Sequence, residues 1–211
     1  MKKFKLTSEF IVDISGVKLF RIKALIEFGN VKAGDLGGYI EKEENLSHMG
    51  DAWVSDDARI SGDARVFGNA WVSGNARVSG NARVSGNAQV FGDAWVFGDA
   101  QVFGDAQVSG NARVFGDAQV FGNARVSGDA QVFGDARVSG DKDYAYAHGF
   151  GSCNRTTTFF RLKDGDVGVR CGCFYGTLAQ FRDKVCETHG ETKKAQEYLM
   201  LADLMEIRFK N

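Results

Sequence analysis

The sequence predicts a mainly β protein built around a parallel β-helix, and three observations lead to this prediction. Residues 50–139 divide into fifteen consecutive six-residue blocks without an insertion. Every block has Ala at its third place and Val or Ile at its fifth, and fourteen of the fifteen begin with Gly. The chain also contains 27 glycines and no proline, which suits a backbone with many tight corners and unbroken hydrogen-bond ladders.

Each block predicts one short strand followed by one corner. In the triplet of Ala, a variable residue and Val, the first and third side chains point to one face of the strand and the second to the other. The Ser or Phe, Gly, and Asp or Asn that follow supply a turn, because Gly, Asn and Asp tolerate positive φ. Three consecutive blocks, with three strands and three corners, close one triangular coil. The fifteen blocks therefore predict about five coils around stacked Ala and Val.

The residues on either side of the blocks predict two capping modules. The chain then divides into an N-terminal β cap (1–49), the β-helix (50–140) and a C-terminal α+β module (141–211). In the cap, two strands flank a turn at Ser15 and Gly16. Just before the first block, Asn45 and Leu46 fit the Asn and Ala places of a degenerate coil.

The C-terminal module is predicted to begin with an irregular, aromatic exit from the coils and to continue as two strands and two helices. Thr177 and Gln180 have the spacing of a capping box at the start of the first helix. The second helix is predicted from about Thr192 to Phe209, with its apolar side buried.

The blocks resemble the hexapeptide-repeat family, in which an aliphatic residue is followed four places later by a small one, as in Val54 with Ala58. The resemblance implies a left-handed β-helix. Across the whole chain, with GDLGGYIEKEENLS before the blocks and GCFYGTLAQFRDKV and THG after them, the sequence is similar to a group of such proteins encoded by phages and prophages. This implies expression in an infected bacterial cell and a homo-oligomer, most often a trimer.

Histidine usage argues against the chemistry that this resemblance suggests. Hexapeptide-repeat acyltransferases and carbonic anhydrases use histidines on their coils as bases or zinc ligands. Here His48 precedes the blocks, while His148 and His189 follow them. We therefore expect a non-enzymatic protein without a cofactor. The enzyme alternative rests on an acyltransferase or on weak candidates in the C-terminal module, namely His189, Cys173, Asp164 and Asp166.

All four cysteines lie in the C-terminal module, after the last block, and reduced thiols are expected because no export signal is recognised. The alternative is a Cys3His zinc site from Cys171, Cys173, Cys186 and His189, with Cys153 left over. A Cys-x-Cys pair on a strand points to opposite faces, which disfavours that site.

The charge pattern does not predict a nucleic-acid partner. The formal net charge is −1, and the blocks carry seven Arg against ten Asp, a net of −3. Both values are too small for a polycationic binder or for a mimic of DNA. No apolar run is long enough to span a membrane as a helix. The sequence therefore predicts a cytoplasmic protein of the bacterial cell, without a membrane or nucleic-acid partner.

Outward side chains recur at every third block and so form columns, which provide the candidate binding residues. All three strand columns carry arginine and two of them also carry tryptophan, residue types enriched where interfaces are anchored. Phenylalanine at corners forms two further columns, which serve either to shield the turns by stacking or to contact a partner. The candidates are Trp53, Trp71, Arg59, Arg77, Trp95, Phe97, Phe115, Phe133, Phe103 and Phe121.

Besides the enzyme alternative, three functions remain open from the sequence. The leading hypothesis is a homo-oligomeric binding protein that neutralises a component of host defence. The second is sequestration of a small anionic ligand, such as a nucleotide signal, at subunit interfaces between Arg and aromatic side chains. The third is a structural piece of a virion.

Overall fold

The structure, a computed structural model, describes residues 1–151 and 154–210 and confirms a mainly β protein with a parallel β-solenoid at its centre. The strands are β1 (Phe4–Val12), β2 (Lys18–Ala24), β3 (Leu36–Ile40), β4 (Trp53–Val54), β5 (Arg59–Ile60), β6 (Arg65–Val66), β7 (Trp71–Val72), β8 (Arg77–Val78), β9 (Arg83–Val84), β10 (Gln89–Val90), β11 (Trp95–Val96), β12 (Gln101–Val102), β13 (Gln107–Val108), β14 (Arg113–Val114), β15 (Gln119–Val120), β16 (Arg125–Val126), β17 (Gln131–Val132), β18 (Arg137–Val138), β19 (Tyr144–Phe150), β20 (Arg155–Arg161), β21 (Val167–Cys171) and β22 (Phe174–Thr177). The helices are a 3-10 turn (Glu43–Asn45), α1 (Leu178–His189) and α2 (Lys193–Phe209).

Each block forms one two-residue strand. Successive strands belong in turn to the first, second and third of three parallel sheets. Face A contains β5, β8, β11, β14 and β17; face B contains β4, β7, β10, β13 and β16; face C contains β6, β9, β12, β15 and β18. Each strand pairs with the equivalent strand three blocks away, as Trp53 does with Trp71. The backbone N–H groups of one coil donate to carbonyl oxygens of the next coil, for example Trp53 to Ala70 at 3.0 Å.

The interior of the solenoid is a dry stack of small side chains. The Ala at the third place and the Val or Ile at the fifth place of every block are 0% exposed, which confirms the predicted inward residues. Glycine opens the blocks for two reasons. Gly86, for instance, has φ +69°, and a Cβ there would lie 2.8 Å from the amide nitrogen of Gly104 in the next coil.

Asp56 is the one block-opening residue that is not glycine, and it adopts φ +55°. Its carboxylate accepts a hydrogen bond from the backbone N–H of Gly74 at 2.9 Å. Short acidic side chains are among the few that adopt this conformation, so the corner is kept without glycine.

The solenoid has about six turns, one more than the blocks predict. β3 pairs in parallel with β5, with Tyr39 opposite Arg59, and Leu46 forms a parallel bridge with Val66. These pairings confirm a degenerate coil before the first block. Leu46 nevertheless lies opposite a Val place and not an Ala place, because the cap enters the solenoid with a different register. The left-handed sense stays a prediction from the resemblance.

The N-terminal cap is continuous with face A. β1 and β2 form an antiparallel hairpin around the predicted turn, where Gly16 has φ +84°. β2 pairs with β3, and β3 pairs with β5, so one sheet of eight strands runs from the hairpin to the far end of the solenoid. The tip of the hairpin therefore stands close to the outward column of face A.

The C-terminal module has four antiparallel strands, β19 to β22, where two were predicted. Residues predicted as an irregular exit form β19, because Tyr144 and Ala145 pair with Phe160 and Phe159 of β20. A second strand was missed because Gly172, at φ +59°, divides the predicted single strand into β21 and β22.

The helices of this module follow the prediction. The hydroxyl of Thr177 and the side chain of Gln180 form the capping box of α1, and Thr192 caps α2. Tyr198, Ala202 and other residues of α2 are buried against α1 and the sheet. Among the described residues, neither helix has the length and hydropathy needed to cross a bilayer.

Candidate functional site

Face A carries four outward side chains in one line, here called the Arg–Trp column: Arg59, Arg77, Trp95 and Arg113. Their strands pair in register, which places each side chain beside the next. The guanidinium carbons of Arg77 and Arg113 lie 4.9 and 5.3 Å from the centroid of the Trp95 ring. The indole is thus flanked by a cation from the coil on each side, a favourable cation–π geometry.

The tip of the N-terminal hairpin turns this column into a groove of about 250 Å³. Asp13 and Ser15 of the tip line it together with Arg59 and Arg77. The pKa of Asp13 is held below its usual value, first by a hydrogen bond from the Ser15 hydroxyl and also by backbone N–H donors and the Arg59 charge. Asp13 is therefore an anion that faces the cationic column at neutral pH.

Apart from the nearby Asp13 carboxylate, the arginines of the column have no paired acidic group in the part of the chain that the structure describes. Arg59, Arg77 and Arg113 form no salt bridge within residues 1–151 and 154–210. Like charges directly opposite one another on paired strands repel, as Arg59 and Arg77 do here. An anionic partner would relieve this repulsion, so the column suits an acidic surface.

A ladder of aromatic corners continues from the column toward the C-terminal module. The Phe97 and Phe115 rings stack at 4.8 Å and 9°, and Phe115 lies 4.5 Å from Phe133. The module closes the ladder: Tyr175 packs edge-on against Phe133 at 4.6 Å, and the Arg170 guanidinium lies 5.3 Å above the same ring. Phe133 thus anchors an internal contact, while Phe97 lines the groove.

The other predicted corner pair lies on a different edge of the prism. Phe103 and Phe121 stack at 5.1 Å and 7°, and both are half-buried. Neither residue reaches the Arg–Trp groove, because their column follows face C. Both alternatives for the corner phenylalanines, shielding of the turns and contact with a partner, are compatible with this stacked pair.

The two remaining candidates, Trp53 and Trp71, lie on face B. The prediction that Trp53 is an outward binding residue is wrong, since its side chain is 2% exposed and packs at 5.4 Å against Phe28 of the cap. Gly37 of β3 permits this burial, because a Cβ there would lie 2.6 Å from the indole. Trp71 is half-buried and is not brought to the column of face A.

Sequence reasoning missed a second recess, on face C at the N-terminal end of the solenoid. This cleft of about 650 Å³ is lined by cap residues, among them Lys2 and His48, and by Arg65, Phe67 and Arg83 of the first coils. The three-block spacing of Arg65 and Arg83 is visible in the sequence. The contribution of the cap is not visible in the sequence, because it depends on how the N-terminus folds back over the solenoid.

His48 is held in a defined tautomer beside this cleft. The backbone N–H of Lys3 donates to His48 Nδ1 at 3.2 Å, so the proton of the neutral ring is on Nε2, which lies 2.8 Å from Glu43 Oε1. Phe4 stacks on the imidazole at 4.4 Å. Hydrogen bonds from Lys2 first and His48 second keep the pKa of Glu43 below its usual value.

The described cysteines are not gathered into a metal site. Cys171, Cys173 and Cys186 are free thiols, and the described residues contain no group of three or more His, Cys, Asp or Glu placed to hold a metal ion. The Thr157 hydroxyl donates to Cys171 Sγ at 3.2 Å. The four ligands of the zinc alternative, Cys171, Cys173, Cys186 and His189, are therefore not brought together, and Cys153 lies outside the described residues.

Comparison with known proteins identifies the repeats. The model for the YdcK beta solenoid repeat matches residues 58–74, 76–90, 106–118 and 118–132. No curated protein matches the chain. The matched segments lie within the blocks, and together with the three parallel sheets they define a repeat β-solenoid protein.

Proposed function

We propose that this chain is a non-enzymatic binding protein whose solenoid presents the Arg–Trp column of face A to an acidic protein partner. One observation carries the proposal: Arg59, Arg77 and Arg113 are aligned around Trp95 without a salt bridge in the described part of the chain. Trp and Arg are the residue types that contribute most binding energy at protein interfaces.

The solenoid supports this role because its surface is rigid. Every inward Ala and Val is fully buried, and each coil is hydrogen-bonded to the next, so the outward side chains are held at fixed spacing. Pre-organised side chains lose little entropy on binding. The Phe97 ring extends the surface with an aromatic contact next to the cations.

A small planar ligand is less well suited to the same column. Arg77 and Arg113 both lie over the Trp95 ring, so a ligand ring would have to displace a guanidinium in order to stack there. The groove of about 250 Å³ is also smaller than the roughly 300–1,000 Å³ usual for small-molecule sites. An acidic loop or helix that contacts the outer edge of the column needs neither displacement nor depth.

The finer proposal follows from the resemblance to phage-encoded proteins: the partner is a component of host defence that the binding neutralises, in the cytoplasm of an infected cell. Self-association, most simply as a trimer, belongs to the same proposal. The stacked pair of Phe103 and Phe121 is the aromatic edge that we assign to a sister subunit.

Affinity capture from bacterial extract tests the partner proposal. The full chain is compared with the variant Arg59→Glu/Arg77→Glu, which reverses the charge of the column. Its matched control is Arg65→Glu/Arg83→Glu, an arginine pair of the same spacing on face C. We expect one protein species, with an acidic surface, to be retained by the wild type and the control and lost by the face A variant.

Circular dichroism and thermal unfolding of all three proteins establish that each is folded. Retention of the same species by both variants would place the interface elsewhere, and the absence of any retained species would contradict the proposal. Native mass spectrometry of the wild type and of Phe103→Ser/Phe121→Ser measures self-association. A monomeric wild type would contradict the proposed oligomer.

A further inference from the structure

The cleft on face C combines features of a small-molecule site that face A lacks. Its volume of about 650 Å³ falls within the range usual for such sites. The degenerate coil forms one wall through Ser47 and His48, and the first two coils form the other through Arg65, Phe67 and Arg83. The cleft is therefore present only because the cap folds over the solenoid.

Two arginines in this cleft form no salt bridge with the described residues, although Asp63 lies within electrostatic range of Arg65. Arg65 and Arg83 are directly opposite each other in the register of β6 and β9, and both are exposed. Neither forms a salt bridge within the described residues. Two guanidinium groups held side by side in this way can bind one phosphate or carboxylate group by paired hydrogen bonds.

The acidic residues in and beside the cleft form no salt bridge with the arginine pair. Glu43 lies 2.8 Å from Lys2 Nζ and 2.8 Å from His48 Nε2. Glu44 and Asp63 line a neighbouring recess together with Lys42 and Arg65, and Asp63 is paired with Lys42 at 2.7 Å. The free cationic groups of the cleft are thus the guanidinium groups of Arg65 and Arg83.

Phe67 supplies an aromatic surface beside the arginine pair. Its side chain is 39% exposed and makes no ring contact within residues 1–151 and 154–210, unlike Phe103 and Phe121 of the same column. The equivalent position in the preceding coil is Ser47, whose N–H donates to the Val66 carbonyl, and the equivalent position in the following coil is Ser85. Coils are about 4.8 Å apart, so a serine rung leaves room for one flat ring against Phe67.

From this geometry we infer that the cleft binds a small planar aromatic anion of the nucleoside monophosphate class. The ring of the ligand stacks on Phe67, and its phosphate lies between Arg65 and Arg83. The order of contacts follows from the fold, since Arg65 and Phe67 lie on the same side of one coil and Arg83 is on the next. This site is independent of the proposed protein interface on face A.

Calorimetric titration of the full chain with AMP, and separately with inorganic phosphate, tests the inference. Arg65→Gln/Arg83→Gln removes the cations, and Phe67→Ser removes the ring; both use residues found at the same places of other blocks. The matched control, Arg59→Gln/Arg77→Gln, removes an identical pair from face A.

We expect saturable binding of AMP by the wild type and the face A control. The arginine variant should weaken AMP binding by at least about tenfold, the loss of one charge-assisted contact. Phe67→Ser should weaken AMP binding without changing the weaker binding of phosphate. Equal AMP affinity in the wild type and the arginine variant would overturn the site, as would no saturable binding at millimolar AMP. Neither result bears on capture of a protein through Arg59 and Arg77.

Discussion

The ammonium group of Lys3 donates a hydrogen bond to the carbonyl oxygen of Ala52 at 2.7 Å, at the open end of the first coil of blocks. At the ends of each strand and at the corners, the hydrogen bonds between coils run from an N–H to a carbonyl of the following coil, as from Trp53 to Ala70 and from Ser55 to Val72. The carbonyl groups of the first coil therefore need donors from outside the repeats. The Lys3 ammonium also donates to the carbonyl oxygen of Gly50 at 3.1 Å. In the same way, the side-chain amide of Asn45 donates to the carbonyl oxygen of Ala64 at 2.9 Å.

The opposite end of the solenoid has the complementary need, because its last N–H groups lack a following coil. Acceptor side chains fill this role: the Asp141 carboxylate accepts from the N–H of Arg125 at 3.1 Å, and the Thr158 hydroxyl accepts from that of Gln131 at 2.9 Å. Side chains thus terminate the ladders at both ends, with a cation and an amide at one end and a carboxylate and a hydroxyl at the other. They block the addition of further strands.

Replacing Lys3 with Met should destabilise the protein. The substitution keeps the apolar stem but leaves two carbonyl groups without a donor, and Lys3 is 1% exposed. An unsatisfied buried polar group costs about 1–3 kcal/mol, and we expect a loss of that size in the free energy of unfolding measured with urea. Lys5→Met, at an exposed position of β1, is the control; equal effects of the two would contradict the role of Lys3.

The same residue makes a pH-dependent contribution. Burial lowers the pKa of Lys3 from 10.5 to about 8, partly opposed by the charge of Asp51. Between those values the unfolded chain binds the proton and the folded chain does not, so stability rises with pH. The stability advantage of the wild type over Lys3→Met should therefore be constant below about pH 8 and grow toward pH 10.5. An advantage that stays constant or falls over that range would contradict this sign.

Gly37→Ala tests how the cap reaches the solenoid. A Cβ at this position would lie 2.5 Å from the Val54 carbonyl oxygen and 2.6 Å from the Trp53 indole. The strand must then move away from the first coil, at a cost of about 1–3 kcal/mol, and Trp53 gains exposure. Urea unfolding and a red shift of tryptophan fluorescence measure both effects. Gly140→Ala, where a Cβ has nothing within 4 Å, should leave both measurements unchanged.

The sequence was sufficient for the solenoid because its periodicity determines both the strand and its neighbour three blocks away. It was insufficient where a non-repeating segment covers a repeating one. Trp53 and Trp71 are equivalent in the pattern, yet only Trp53 is enclosed by the cap. The face C cleft was not predicted for the same reason, because Ser47 and His48 line it together with Phe67 only after the cap folds back. β19 was missed because its partner strand is needed to order it.

The corner columns of Asp and Asn allow a charge test. In each of the three columns an Asn amide donates to an Asp carboxylate of the next coil, as Asn111 does to Asp129 at 2.9 Å. One of them continues below its Asn81–Asp99 pair with two further aspartates, so that Asp99, Asp117 and Asp135 stack on one another. Asp117→Asn should remove like-charge repulsion and add an amide donor, raising stability by about 0.5 kcal/mol at low salt.

Asn111→Asp is the inverse of that change, because it creates three stacked carboxylates together with Asp93 and Asp129. It should lower stability, and added salt should reduce both effects, since exposed charges are screened. Thermal unfolding of the two variants at low and high ionic strength provides the measurement. Equal shifts of the same sign for both variants would show that the columns act through turn geometry and not through charge.

One of the contacts between the C-terminal module and the solenoid is made by Tyr175, whose ring packs edge-on against Phe133 of the last coil at 4.6 Å. Aromatic contacts of this kind contribute about 0.5–1.5 kcal/mol beyond their buried area. Tyr175→Ser should therefore free β21 and β22 from the solenoid while the central coils keep their ladders. Hydrogen exchange followed by mass spectrometry should show faster exchange in β20 to β22 and unchanged exchange in β7 to β12. Phe150→Ser, at a ring that is 45% exposed, is the control. Faster exchange spread equally over all coils would mean instead that the module is required for the solenoid to remain folded.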